Sequence, residues 1–194
     1  MKYVYVILSQ TGTALSRIIR AFTGDSLGHA SLSFHDDFHI MYSFGRRKPN
    51  NPFLGGFVKE SPDFGTFRRF KNTYAEIFAF EVEDETYYEM LSYVENMYRE
   101  RDKYHYNYKG LFLATLGIEH HQKKSYYCSE FVAKVLTKFG IVDKERFGGI
   151  IKPMDLYCLP GAIPVYAGKL SAFRQKFTLW DLRDFVKEHN LKSQ

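Results

Sequence analysis

The sequence predicts an α+β fold in one domain. Three observations carry this. Strand-like runs of β-branched, aromatic and aliphatic residues cluster early in the chain, two of them joined by a short polar turn. Runs with apolar residues three and four apart dominate the later part. The 194 residues contain no internal repeat, low-complexity tract or linker, and that length suits a single core spanning 1–194.

Lys2–Leu8 is almost wholly β-branched, aromatic or aliphatic, as a buried strand requires. Ser9–Thr13 is a turn into a helix over Ala14–Phe22, where Leu15, Ile18, Ile19 and Phe22 share a face. Gly28–Phe34 and Phe38–Phe44 form a hairpin about His35-Asp36-Asp37. Arg46–Gly56, with prolines, asparagines and a Gly-Gly pair, reads as a loop. Short strands are expected at Phe57–Glu60 and Thr66–Phe70, and a stronger one at Tyr74–Val82. Asp84 caps a long helix to about Arg101, with Tyr87, Leu91, Val94 and Tyr98 as its buried stripe. An apolar helix follows over Tyr108–Ile118. A third opens at Cys128, buries Phe131, Val132, Val135, Leu136 and Phe139, and stops at Gly140. A helical turn after Pro153, a strand at Ile163–Ala167 and a last helix over Leu179–His189 complete the chain.

Hydrophobic residues at 45% and charged residues at 25% exclude a disordered or fibrous chain. The 33 Phe and Tyr rings, 18 plus 15, need a large core or an apolar groove to cover them. No apolar run approaches the roughly 18–20 residues of a membrane span. The N-terminal run lacks the pattern of an export signal, so a soluble cytoplasmic protein is expected. The net charge of +5 favours solubility without choosing a partner. Arg46-Arg47-Lys48, Arg68-Arg69 and Lys123-Lys124 are separate and read as solvated faces, so no nucleic-acid partner is expected. His35, His39, His120 and His121 lack the spacing of a metal site, and no metal or cofactor is expected.

Of the two cysteines, Cys158 lies among packing residues with no histidine nearby. Cys128, in Tyr126-Tyr127-Cys128-Ser129-Glu130-Phe131-Val132, begins a helix. Unpaired N–H groups and the positive end of the dipole favour a thiolate there and suit an oxyanion. By position alone a buried structural cysteine is the commoner case. His29, in Leu27-Gly28-His29-Ala30-Ser31-Leu32, is the candidate base; a strand-edge histidine bonded to backbone is the plain alternative. A third polar group must orient the imidazole, and the next strand offers Tyr42 or Ser43. Strand alternation lets only one share the face of His29, and Ser43 is preferred.

Gly-His-Ala-Ser-Leu-Ser opening a strand, a polar position on the next strand, and Tyr-Cys-Ser-Glu-Phe-Val opening a helix resemble the circularly permuted NlpC-type cysteine peptidases and amidases. These are the YiiX-like relatives of papain, in which histidine precedes cysteine. The resemblance covers roughly Lys2 to Phe139. It implies a barrel-like antiparallel sheet packed against helices, with Cys128 as nucleophile and His29 as base. The family usually places His, Asn, Gln or Glu at the third position, where this chain has Ser43, a weaker partner for imidazolium. It also implies a substrate-binding role for Tyr166. The expected activity is hydrolysis of a small peptide-like amide without a cofactor. The alternatives are a lipid acyl hydrolase or acyltransferase of the same fold, or a binding module that has lost the chemistry.

Overall fold

The computed structural model describes residues 1–12, 24, 26–48, 51–157 and 159–175, with the backbone alone at 51–53, 174 and 175. The helices expected over Ala14–Phe22 and Leu179–His189, and Cys158, lie outside the described residues. The strands are β1 (Lys2–Gln10), β2 (His29–Ser33), β3 (Met41–Lys48), β4 (Asn51–Glu60), β5 (Tyr74–Val82), β6 (His105–Tyr106), β7 (Ser125–Tyr126) and β8 (Ile163–Lys169). The α-helices among the described residues are α1 (Gly65–Arg69), α2 (Asp84–Arg99), α3 (Tyr108–Thr115) and α4 (Cys128–Lys138). All eight strands form one sheet in the order β7-β6-β4-β3-β2-β1-β5-β8, antiparallel except for β6 with β7. The mixed α+β class expected from the sequence is therefore present.

β1 reads as a continuous apolar run because both of its faces are covered. Val4, Val6 and Leu8 join Leu32, Tyr42, Phe44 and Phe57 in a core closed by α2 and α4. Tyr5 and Ile7 turn the other way, into a second cluster with Phe38, Met41, Phe67 and Ile77. α4 supplies Phe131, Val132, Val135 and Leu136 to the first core, and Gly140 at φ +68 ends it as expected.

Three local expectations are corrected. Residues 46–56 belong largely to β3 and β4, which pair from Met41↔Glu60 to Lys48↔Asn51 with a register shift between Arg46 and Lys48. Gly55 and Gly56 mark close backbone approach rather than a loop. A Cβ on Gly55 would lie 2.5 Å from the Tyr108 hydroxyl, and one on Gly56 2.5 Å from Arg47 Nε. Thr66–Phe70 falls on α1, not on a strand. Gly65 turns the chain at φ +65, and Phe64, Phe67 and Phe70 stand three apart, a helical spacing that places Phe67 in the core. In α2 the cap position is Glu83 and Asp84 is the first helical residue; Met90, Val94 and Met97 are the buried row. Tyr87, Leu91 and Tyr98 flank it, half-buried, and Tyr87 keeps its hydroxyl on the Phe34 carbonyl at 2.6 Å.

Gly55→Val is expected to destabilise the fold by about 1–3 kcal/mol, because the side chain must displace Tyr106 and Tyr108. Denaturant midpoints measure this. Gly148→Ala, with nothing within 4 Å of the added carbon, should leave the midpoint nearly unchanged.

Candidate active site

The chain enters α4 from β7 through Tyr127, whose extended backbone (ψ 172) precedes the first helical residue, Cys128. The Tyr127 N–H donates to Glu130 Oε2 at 3.3 Å, so the glutamate of the Cys-Ser-Glu block closes the helix start. The first backbone bond of the helix runs from Phe131 N–H to Tyr127 O at 3.1 Å. That leaves the amides of the preceding turn outside the helical ladder. Ser129 Oγ donates to the Ile151 carbonyl at 2.7 Å, and the Ile151 N–H donates to the Tyr127 hydroxyl at 3.2 Å. These two bonds fasten the helix start on either side of Cys128. The thiol is free of any disulfide and buried.

His29 opens β2. The Gly28 N–H donates to Ser9 O at 3.2 Å, and Ser9 pairs with His29 in the β1–β2 register. Cys128 is among the side chains that raise the His29 proton affinity, so the two residues that the sequence singled out lie beside each other. The His29 Nε2 lies 2.9 Å from Glu60 Oε2. The orienting group is thus a carboxylate at the end of β4. Ser43 is not the direct partner of the ring: its hydroxyl donates to Glu60 Oε2 at 2.7 Å, and Ser31 Oγ donates to the same oxygen at 2.9 Å. The preference for Ser43 over Tyr42 does find the right face. Tyr42 lies on the opposite face, in the first core, with its hydroxyl bonded to Glu95. Gly45 leaves room for the carboxylate, since a Cβ there would sit 3.2 Å from Glu60 Oε1.

His29 and Glu60 keep only 12% and 11% of their side-chain surfaces exposed, so their charges act in a poorly screened setting. Burial alone would push the imidazole down. The Glu60 charge, the Cys128 side chain and the hydrogen bond to Glu60 outweigh it and hold His29 well above the usual histidine range. Burial alone would likewise push Glu60 up. The facing His29 charge and the donors on His29, Ser43 and Ser31 hold it below the usual carboxylate range instead.

Tyr166 is not at this site. It lies on β8, three strands from β2 in the sheet order, packed with Phe173 in the second cluster; its hydroxyl donates to the Lys169 carbonyl at 2.7 Å. The His35 and His39 rings lie 4.5 Å apart and tilted at 52° at the β2–β3 turn beside Asp37, and His121 meets Glu130 at 3.1 Å. Among the described residues no group of three His, Cys, Asp or Glu is arranged to hold a metal ion. No helix among them is long and apolar enough to cross a membrane.

Two cavities among the described residues lie near the site. One, of about 340 Å³, lies along β4 and α1 and has Glu60, but neither His29 nor Cys128, in its wall. The other, of about 630 Å³, lies against α4 between Tyr126, Lys134, Phe147 and Gly149, and has neither His29 nor Cys128 in its wall. No family model matches the chain, and no curated protein matches it.

Proposed function

We propose that the chain is a cysteine-dependent hydrolase, an amidase or peptidase of the permuted papain-like type, acting through an acyl-enzyme. The observation that carries this reading is the buried His29–Glu60 pair, Nε2 to Oε2 at 2.9 Å, with Cys128 beside the imidazole at the start of α4. A merely structural cysteine has no need of a buried imidazole–carboxylate pair at its sulfur. The binding-module alternative rested on a serine as the orienting group, and with a carboxylate at the ring that basis is gone.

In the proposed cycle Cys128 passes its proton to His29, and the sulfur adds to the amide carbonyl carbon. The carbonyl π pair moves to oxygen, which the free amides at the start of α4 stabilise. The pair returns to re-form the carbonyl, the C–N bond breaks, and His29 gives its proton to the departing amine. Water then loses a proton to His29 and attacks the thioester, and the sulfur leaves with that proton. Glu60 stays ionised throughout, holding the ring and its positive charge.

The test uses p-nitrophenyl acetate, then paired peptidyl amides and long-chain acyl esters. The expected result is a burst of nitrophenol, with the acetyl group mapped by mass spectrometry to Cys128, followed by turnover of amides. An unacylated Cys128 overturns the hydrolase reading. Turnover of long-chain esters with amides untouched would move it to the lipid acyl class.

A further inference from the structure

We propose that the cavity beside Glu60 holds an anionic group of the substrate, a carboxylate or phosphate, between Arg46, Arg47, Lys59 and Arg101. This deepens the hydrolase reading and rests on it for the direction of substrate approach.

Four cations but only two carboxylates, Glu60 and Asp102, belong to the wall. Glu60 is already committed to His29, Ser31 and Ser43, and Asp102 is solvent-exposed, 3.4 Å from Arg47 Nη1. Glu95, outside the wall, pairs with Lys59; counting it, four cations still face three carboxylates, one of them turned to His29, so the wall keeps a positive excess.

The cations are held in place rather than trailing in solvent. The Arg47 guanidinium lies against the bare backbone of Gly56, and its Nη2 donates to the carbonyls of Arg101 at 2.7 Å and Tyr104 at 3.0 Å. Lys59 and Arg101 both lie over the Tyr98 ring, at 4.4 and 5.0 Å from its centroid. Lys59 is further fixed by Glu95 at 2.9 Å. Such preorganisation lowers the entropy lost on binding. Arg46-Arg47, expected to be a solvated run, thus lines a concavity instead.

The position is also suited to substrate. β4 pairs with β6 only at Gly56↔His105, so Phe57–Glu60 continue past β6 and form one wall of the cavity. Glu60 belongs to the wall and bonds His29, so the cavity adjoins the carboxylate behind the ring. A volume of about 340 Å³ fits a small acidic group and its linker.

The test is an NMR titration of the full chain with glutarate, with phenyl phosphate, and with neutral glutaramide. At least one anion is expected to bind, with an affinity that falls as salt rises, while glutaramide does not. Arg101→Glu should weaken binding about 10-fold or more. Lys144→Glu makes the same change in net charge away from this cavity and should leave binding as it was. The ratio between the two anions tells a carboxylate-bearing from a phosphate-bearing substrate. Equal binding of glutaramide, or anion binding indifferent to Arg101→Glu, overturns the proposal. Anion binding needs no sulfur chemistry, so this failure is separate from a failure of Cys128 to acylate.

Discussion

His29→Ala is expected to slow iodoacetamide alkylation of Cys128 at neutral pH by about 10²-fold or more, because the thiolate is the nucleophile and its proton acceptor is gone. The cause is local. The imidazole is the ionisable partner of the sulfur, and Glu60 holds it well above the ordinary histidine range. Peptide mapping after alkylation separates Cys128 from Cys158. Far-UV circular dichroism checks that the variant keeps its fold. Equal alkylation rates in wild type and His29→Ala would remove the catalytic reading of the pair. The Ser43→Ala variant gives the contrast: it leaves the Glu60–His29 contact and the Ser31 donor in place, so a far smaller loss is expected.

Glu60→Gln is expected to lower turnover of p-nitrophenyl acetate by on the order of 10²–10⁴-fold, the range seen when the carboxylate behind a catalytic histidine is neutralised. The pH profile carries the mechanism. Wild-type activity should persist into alkaline pH, because His29 stays protonated there and can serve as the acid for the leaving group. With glutamine at position 60, burial is no longer outweighed by a facing charge, and the alkaline limb should move to lower pH.

Stability follows the same pair. Glu60, depressed in the folded state, contributes stability above its ordinary value of 4.5 and loses it as pH falls through the folded value. His29, raised in the folded state, contributes stability below its ordinary value of 6.5 and loses it as pH rises through the folded value. The gap in denaturant midpoint between wild type and Glu60→Gln should therefore be widest between about pH 4.5 and 6.5. A gap independent of pH would mean that Glu60 only fills space.

Short-range chemistry made much of the molecule legible in advance. The run at β1, the hairpin of β2 with β3, the long helix after Glu83 and the start of α4 at Cys128 all follow from period-2 or period-3.6 patterning and local caps. Alternation along β3 allowed only one of Tyr42 and Ser43 to share the face of His29, without saying which; Ser43 is the one that reaches Glu60 there. Glu60 was not legible, although it ends a segment that reads as a strand. β3 and β4 meet with a register shift between Arg46 and Lys48. Counting outward from Lys48↔Asn51 without that shift sets Glu60 opposite His39, where Met41 actually lies across from it. Tyr166 misled for a related reason: a tyrosine on a strand carries no mark of which strand lies beside it.

By itself, the sequence determined that a thiol would begin a helix and an imidazole would begin a strand, because both depend on neighbours a few residues away. Only the tertiary structure decided that the two side chains meet, that Glu60 orients the ring while Ser31 and Ser43 hold Glu60, and that Arg46 and Arg47 line a cavity. Those outcomes depend on strand order and on one irregularity in register, which arise from packing two cores on opposite faces of a single sheet and leave no periodic trace along the chain.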